Sequence, residues 1–179
     1  MSKPTETIRA LVSSGITHVV GIPDNTTGSL FDAIARHPTI RLVTVTREGE
    51  AFAIASGLWM GSACPLVVIQ NTGLLESGDS LRGTAVRMAA PIPMIVTGRG
   101  YAKMAQAELT PDEPRTLELL TRSDLDSTAL VTEPTLEAWG IPYRRCEGDQ
   151  DPTGAITDTI LAAREQGRPV AVVMARALD

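Results

Sequence analysis

RLVTVTREGEAFAIASG, residues 41–57, is the stretch of this sequence that decides the fold. Residues 42–46 alternate in character and are rich in β-branched side chains, a pattern that predicts a strand. Five apolar residues then follow at helical spacing: Ala51, Phe52, Ala55, Leu58 and Trp59. A strand that leads directly into an amphipathic helix is the repeating unit of an α/β protein.

Glu48 lies at the junction of this strand and helix. In open α/β sheets, ligands bind at the carboxyl ends of the strands, so Glu48 is the first candidate for a functional residue. A structural explanation also exists, because an acidic residue in the first helical turn complements the positive end of the helix dipole. Glu50, two positions along, is expected to point away from whatever Glu48 meets.

Strands and helices alternate along the rest of the chain. Further apolar runs predict strands at residues 18–22, 65–70, 92–97, 140–145 and 169–174. Helices are predicted at residues 5–14, 29–36, 77–88 and 152–163, with shorter ones near 114–122 and 135–139. Residues 71–73 and 102–113 are predicted as loops. The alternation predicts a doubly wound, mostly parallel α/β sheet flanked by helices, with residues 1–179 as a single domain.

Composition excludes several classes of function. A chain of 179 residues that is 43% hydrophobic fits one domain with a full core. A net charge of −5 argues against general nucleic-acid binding. No apolar run approaches the roughly 18 residues of a membrane span, and no signal peptide is evident, so a cytoplasmic protein is expected. With two histidines and two distant cysteines, no protein-only transition-metal site is expected.

Three segments carry a resemblance to a known family. Arg47-Glu48 is followed by small residues, then by PLVVIQNTGLLES at residues 65–77 and PIPMIVTGRG at residues 91–100. In that order these segments resemble the pyrimidine-binding domain of thiamine diphosphate enzymes. The chain is most similar to the α subunits of sulfopyruvate decarboxylases and to phosphonopyruvate decarboxylases.

The resemblance implies a catalytic role for Glu48, which stands in the position of the family's glutamate. That carboxyl group bonds a pyrimidine ring nitrogen and promotes the tautomer that activates the cofactor. The small alanines beyond Glu48 would let the ring approach the backbone. Burial raises a carboxyl pKa and a helix terminus lowers it, so the sequence alone leaves the direction for Glu48 open.

Two further segments match cofactor and substrate loops of the family. Gln70, Asn71, Thr72 and Gly73 correspond to a loop that lies against the pyrimidine ring; an ordinary strand–helix turn is the alternative. The segment that contains Asp24 and Asn25 corresponds to a loop that reaches toward the substrate. Capping of the next helix is the competing explanation for those two polar residues, and both explanations can hold together.

Arg99 is the third candidate for substrate binding. Gly98-Arg99-Gly100 resembles the glycine-arginine-glycine of phosphonopyruvate decarboxylases, and an arginine there could pair with a sulfonate or phosphonate. A solvated loop charge is the alternative. His18 and His37 do not match the paired histidines of pyruvate decarboxylases, which favours the sulfopyruvate and phosphonopyruvate branch.

The metal-binding half of the family's site has no counterpart in the sequence. Family members hold Mg²⁺ and the cofactor's diphosphate through a Gly-Asp-Gly motif with a spaced asparagine, and no segment here matches it. The resemblance therefore implies a separate diphosphate-binding β subunit that carries this motif and holds the Mg²⁺. The helix around residues 51–60 has more apolar residues than one sheet face needs, which predicts an interface and a hetero-oligomer.

Together these features predict the α subunit of a two-chain thiamine diphosphate-dependent decarboxylase, acting on a small 2-oxoacid such as sulfopyruvate or phosphonopyruvate. One alternative is a carboligase subunit of the acyloin or acetolactate type from the same family. The other is a non-catalytic regulatory or binding subunit. Glu48 argues against this last alternative, because a decayed site should tolerate its loss.

Overall fold

One parallel sheet forms the centre of the structure, a computed structural model that describes residues 3–175. Within those residues its six strands follow the order β2-β1-β3-β4-β6-β5, and every neighbouring pair is parallel. The strands are His18–Gly21 (β1), Arg41–Thr44 (β2), Pro65–Gln70 (β3), Pro93–Thr97 (β4), Tyr143–Cys146 (β5) and Val170–Met174 (β6).

Helices cover both faces of this sheet. They are Lys3–Ser13 (α1), Gly28–Ala35 (α2), Glu48–Met60 (α3), Asn71–Glu76 (α4), Gly78–Ser80 (α5), Tyr101–Gln106 (α6), Leu117–Leu120 (α7), Ser127–Ala138 (α8) and Pro152–Gln166 (α9). A π-helical segment, Leu81–Val86, continues from α5. Of the helices formed by residues 3–175, none combines the length and apolarity needed to cross a membrane.

Two apolar cores lie on opposite faces of the sheet. Along β3, Val67 and Ile69 belong to one core, whereas Leu66 and Val68 belong to the other. Successive side chains of a strand point to opposite faces, and a strand buried on both faces reads as a continuous apolar run. Helices α1, α2 and α9 pack on one face, and α3, α4, α6 and α8 on the other. The predicted doubly wound α/β fold is confirmed.

The strand order reverses between β1 and β3. The chain adds β2 on one side of β1 and then crosses to place β3 and β4 on the other side. The backbones approach closely here: a Cβ on Gly21 would lie 1.8 Å from the Val68 carbonyl oxygen. Open α/β sheets bind their ligands in the crevice at such a switch point, outside the carboxyl ends of the strands.

The strands agree with the sequence-based expectations to within one to three residues at their ends. The predicted strand at residues 140–145 is β5, which lies at the edge of the sheet. The stripe on α3 is also confirmed, since Ala51, Phe52 and Ala55 are fully buried. Periodicity sufficed for these elements because each buries one continuous apolar face.

The loop prediction is wrong for residues 71–73, which open helix α4, and for the first part of residues 102–113. The predicted helix at 77–88 is present as α5 with its π-helical continuation, residues 78–86. Residues 102–106 lie in α6, where Tyr101 and Met104 are buried. Asparagine and glycine are poor helix formers, but tertiary contacts override such local preferences.

The helix near residues 135–139 is much longer than predicted. It begins at Ser127, after an Asp126 cap that accepts the Thr128 backbone N–H at 3.2 Å, and continues past Pro134. A proline inside a helix normally marks a boundary. Here the buried residues on both sides of the proline, Leu130 and Leu136, hold both halves of the helix against the core. The other short helix, predicted near 114–122, is confined to α7.

Candidate active site

A cavity of about 600 Å³ opens at the switch point of the sheet. It lies at the carboxyl ends of β1, β3 and β4. Four of the candidate residues proposed from sequence line it together: Asp24, Asn25, Gln70 and Arg99. The other lining residues are Thr26, Thr97, Gly98, Ala102 and Ala175. Segments far apart in the chain are therefore brought to one place by the crossover between β1 and β3.

Asp24 is the most heavily hydrogen-bonded residue of the cavity. Its Oδ1 accepts the Thr26 N–H and hydroxyl, both at 2.8 Å, and the Thr27 hydroxyl at 2.9 Å. Its Oδ2 accepts the Thr97 hydroxyl at 2.5 Å and the Gln70 amide at 3.3 Å. Burial raises the pKa of Asp24, but the bonds from Thr97, Thr26 and Thr27 outweigh it and hold the pKa below the ordinary 3.8. Asp24 is thus ionised at neutral pH.

The helix-capping explanation of Asp24 and Asn25 needs revision. Helix α2 starts at Gly28, and its N-cap is Thr27. Asp24 instead stabilises the turn before the helix, through the bonds that its carboxylate accepts within residues 24–27. Asn25 is exposed at the edge of the cavity. Asp24 and Asn25 therefore line the cavity and do not cap the first turn of α2.

Glu48 is the first residue of α3, immediately after the N-cap Arg47. Its side chain lies directly over Gly73 of α4: a Cβ there would be 2.2 Å from Glu48 Cγ and 2.7 Å from Oε1. Only a glycine leaves room for Glu48 in this position. The Glu48 carboxylate is partly exposed, and within residues 3–175 no group hydrogen-bonds or pairs with it. Glu48 and Gly73 form a second cluster, outside the residues that line the cavity.

The start of α3 is anchored by Glu76, a residue that sequence reasoning did not single out. Glu76 Oε2 accepts the Gly49 N–H at 2.6 Å, and Oε1 pairs with the Arg47 guanidinium. Glu50 turns back and accepts the Thr46 N–H at 3.0 Å, so it does not accompany Glu48. The helix terminus that presents Glu48 is consequently fixed from both sides.

The residues that follow β3 have different surroundings. Thr72 donates its hydroxyl to Gln70 Oε1 at 2.6 Å, which orients the Gln70 amide toward Asp24. Asn71 is fully buried; its amide donates to the Arg99 carbonyl at 2.9 Å and to the Thr132 hydroxyl at 3.1 Å, and its carbonyl accepts the Arg99 N–H at 3.1 Å. The Asn71 side chain therefore holds the structure together, and a contact with a cofactor stays a prediction.

Arg99 is not a freely solvated loop charge. Its Nε donates to Asp126 Oδ2 at 2.6 Å, and Asp126 in turn caps α8. Burial raises the pKa of Asp126, but hydrogen bonds from Thr128 and Arg99 outweigh it and keep the pKa below its ordinary value. Arg99 also lines the cavity, and 59% of its side chain is exposed.

The described residues fit one half of the cofactor that the resemblance implies. A carboxylate without a protein partner, held over a glycine, suits the pyrimidine ring nitrogen. No group of three histidine, cysteine, aspartate or glutamate side chains that could hold a metal ion occurs within residues 3–175.

Sequence reasoning missed three residues that shape the site: Glu76, Thr97 and Asp126. Thr97 ends a buried strand, and a hydroxyl at the carboxyl end of such a strand was an available signal. Glu76 and Asp126 act across 27 residues or more, on Gly49 and Arg99 respectively. Pairings over that separation follow from the packing of helices and carry no local signature.

The comparisons with known proteins agree with this geometry. The family model described as thiamine pyrophosphate enzyme, N-terminal TPP binding domain, matches residues 5–114. A phosphonopyruvate decarboxylase of Streptomyces viridochromogenes is 33% identical over 93 residues, 52% of this chain and 23% of that protein. The chain thus matches about a quarter of the length of that relative.

A sulfopyruvate decarboxylase subunit alpha of Methanothermobacter thermautotrophicus is 31% identical over 112 residues, 59% of this chain and 68% of the relative. Among solved structures, a benzoylformate decarboxylase from Polynucleobacter necessarius superposes with a TM-score of 0.68 at 20% identity, over 99% of this chain and 30% of that one. That likeness shows the shared fold. The resemblance predicted from the three sequence segments is confirmed, and the chain belongs to the thiamine pyrophosphate enzyme family, whose N-terminal TPP-binding domain it contains.

Proposed function

We propose that this chain is the α, pyrimidine-binding subunit of a two-chain thiamine diphosphate-dependent decarboxylase, acting on a small 2-oxoacid such as sulfopyruvate or phosphonopyruvate. The observation that carries the proposal is the Glu48 carboxylate, partly exposed and unpaired within residues 3–175, held against Gly73 at the start of α3. The relatives named as sulfopyruvate decarboxylase subunit alpha support both the reaction and a partner subunit.

Glu48 is proposed to share a proton with the pyrimidine ring nitrogen. When bound, thiamine diphosphate would supply a nucleophilic carbon for the 2-oxo group and an electron acceptor for the loss of CO2. A carboxyl group can hold or release the shared proton, and Gly73 together with the Glu76 anchor of α3 keeps it in one place. Such positioned proton transfer contributes about 100-fold or more to a rate.

The cavity has the polarity that a small acid with a second anionic group requires. Asp24 makes one part of its wall anionic, while the Arg99 guanidinium offers a cation with Nη donors to spare. A sulfonate or phosphonate is recognised well by an arginine, because the guanidinium presents several N–H donors in one plane. The substrate's acidic head group is therefore assigned to the Arg99 side.

Arg99→Ala tests the assignment of the head group. In the assembled enzyme, KM should rise about tenfold or more for an acidic-headed substrate and much less for pyruvate, because a charge-assisted bond to the head group is lost. Arg122→Ala, which removes an exposed arginine paired with Asp124 away from the cavity, is the matched control. Equal rises in KM for both substrates would show that Arg99 does not recognise the head group.

A partner subunit is proposed to complete the site. It would carry a Gly-Asp-Gly motif, hold Mg²⁺ and bind the diphosphate. The sequence-based interface prediction needs one correction, since Ala51 and Phe52 are buried in this chain's own core. The exposed apolar residues of α3 and of the segment after α5 remain as the candidate surface; they are Ile54, Met60, Val86 and Met88.

Reconstitution tests the two-chain proposal. The purified chain alone should release no CO2 from sulfopyruvate or phosphonopyruvate with thiamine diphosphate and Mg²⁺. Addition of a β subunit that carries the Gly-Asp-Gly motif should form a hetero-oligomer in light scattering and restore CO2 release. Turnover by the chain alone would contradict the split site. A complex that binds cofactor but never turns over would favour a regulatory subunit.

A further inference from the structure

Five hydrogen bonds converge on the carboxylate of Asp24, and each one is donated to it. They come from three places in the fold: the turn after β1, the end of β3 through Gln70, and the end of β4 through Thr97. An ionised carboxylate has about four lone-pair positions, so this one is saturated. The side chain is immobilised where the three segments meet.

This arrangement suits the ionised form of Asp24 better than the protonated form. A protonated carboxyl group carries an O–H that must find an acceptor, so a threonine hydroxyl that now donates to Asp24 would have to turn and accept instead. The Thr26 N–H and the Gln70 amide can only donate. Protonation would therefore cost at least one of the five bonds that the carboxylate accepts.

Thr97 makes the shortest of these contacts. It is buried, with 2% of its surface exposed, and it is the last residue of β4, directly beside Gln70 in the parallel pairing with β3. Its hydroxyl reaches Asp24 Oδ2 at 2.5 Å across 73 residues of sequence. The pairing of β3 with β4 fixes the backbone of Thr97 beside Gln70, which holds the Thr97 hydroxyl close to the Asp24 carboxylate.

Charged groups do not explain the state of Asp24. Thr26 and Thr27 face it from its own turn, Gln70 from β3 and Thr97 from β4, and all are neutral. Among the described residues that line the cavity, Arg99 is the one other charged residue, and its Nε donates to Asp126. Neutral donors thus carry the stabilisation of the anion.

We propose that Thr97 is a positioning residue: its buried hydroxyl fixes Asp24 as an acceptor-only anion, so that Asp24 serves the reaction as a fixed charge and not as a proton donor. This inference rests on the proposed decarboxylase function. One consequence is that the anionic head group of a substrate is repelled by Asp24 and attracted to Arg99, which also lines the cavity.

The direct test is a titration of Asp24 in the full chain by carboxyl ¹³C NMR, with Asp24→Asn to assign the signal. Thr97→Val keeps the side-chain shape but removes the donor, so the pKa of Asp24 should rise. Thr97→Ser should keep it as in the wild type. Thr44→Val, at the end of β2, is the matched control and should leave it unchanged. If the valine variant does not fold, Thr97→Ala removes the same hydroxyl with less volume.

The second readout is the pH profile of kcat/KM in the assembled enzyme. In Thr97→Val its acidic limb should move to higher pH and kcat/KM should fall about tenfold, with both restored in Thr97→Ser. The proposal is overturned if the pKa of Asp24 is the same in Thr97→Val as in the wild type. It is also overturned if that pKa shifts while the acidic limb of the kcat/KM profile stays in place. If wild-type complexes show no decarboxylation, the proposed function fails, and the NMR titration still decides whether Thr97 controls Asp24.

Discussion

At the scale of single residues, the contact between Glu48 and Gly73 is the most constrained feature of the site. Both residues were candidates from sequence, yet their relationship was not foreseen. The resemblance implies that Gly73 lies against the cofactor, whereas the structure shows that it makes room for Glu48. The motifs indicated Glu48 and Gly73 separately as candidates. They could not indicate that the two residues contact each other, because these residues lie on different helices.

Gly73→Ala should displace Glu48 and remove most activity. The new Cβ would fall 2.2 Å from Glu48 Cγ, so the glutamate side chain must leave its position. We expect a loss of about 100-fold in kcat, the size of a lost proton-transfer contribution. Overpacking costs about 1–3 kcal/mol of stability, partly offset because alanine favours a helix. CO2-release kinetics and thermal melting measure the two effects.

Gly57→Ala is the matched control for this variant. Gly57 lies in α3, and a Cβ there would meet no atom within 4 Å. Alanine in an exposed helix interior stabilises by about 0.5–1 kcal/mol, so this variant should melt slightly higher. At a saturating concentration of the β subunit it should keep full activity. Equal activity of the two alanine variants would show that the position of Glu48 does not depend on Gly73.

Asp24 should make the stability of the chain depend on pH. Its folded-state pKa lies below the ordinary 3.8, so its stabilising contribution is fully present above that value and is lost as the pH falls through the folded pKa. Asp24→Asn should therefore be less stable than the wild type at pH 7. The difference in the free energy of unfolding should shrink as the pH falls below 4.

Urea unfolding from pH 7 down to pH 3 measures this difference. The other carboxylates with depressed pKa values, such as Asp126, are present in both proteins and cancel in the comparison. Two curves that stay parallel over the whole range would show that Asp24 is not held as an anion in the folded chain.

At the scale of elements, helix α4 explains why prediction succeeded for strands and failed here. Strands β3 and β4 are fully apolar runs between clear boundaries, so their sequence alone indicates them. Helix α4 has no such signal, because it is six residues long and starts with asparagine, threonine and glycine. Its position is decided by contacts with α3, α8 and the turn after β4.

Asn71→Ala should loosen that junction. The substitution removes three hydrogen bonds, two to the Arg99 backbone and one to Thr132. It leaves the buried Thr132 hydroxyl and the partly buried Arg99 N–H and C=O groups without that partner. An unsatisfied buried polar group costs about 1–3 kcal/mol, so the urea midpoint should fall accordingly. Thr153→Ala, in the first turn of α9 at a partly exposed position, serves as the control. Equal midpoints in the two variants would contradict a structural role for Asn71.

At the scale of the whole molecule, the crossover between β1 and β3 brings the residues that line the cavity together. It brings the Asp24 turn, Gln70 and Thr97 to one edge of the sheet, beside the Arg99 turn. The alternating pattern of strands and helices predicted this edge, because carboxyl ends of parallel strands share one side. What the pattern could not predict is that the candidates divide into a cavity group around Asp24 and a separate pair, Glu48 with Gly73.

Glu48 is proposed to act chemically, while the rest of the chain holds it in place. The most direct measurement is CO2 release by Glu48→Gln assembled with its β subunit, together with thermal melting of the variant. The amide keeps the shape but cannot share a proton as an acid does, so activity should fall about 100-fold or more with an unchanged melting temperature. A variant that turns over at the wild-type rate, or that loses activity only because it unfolds, would contradict the account.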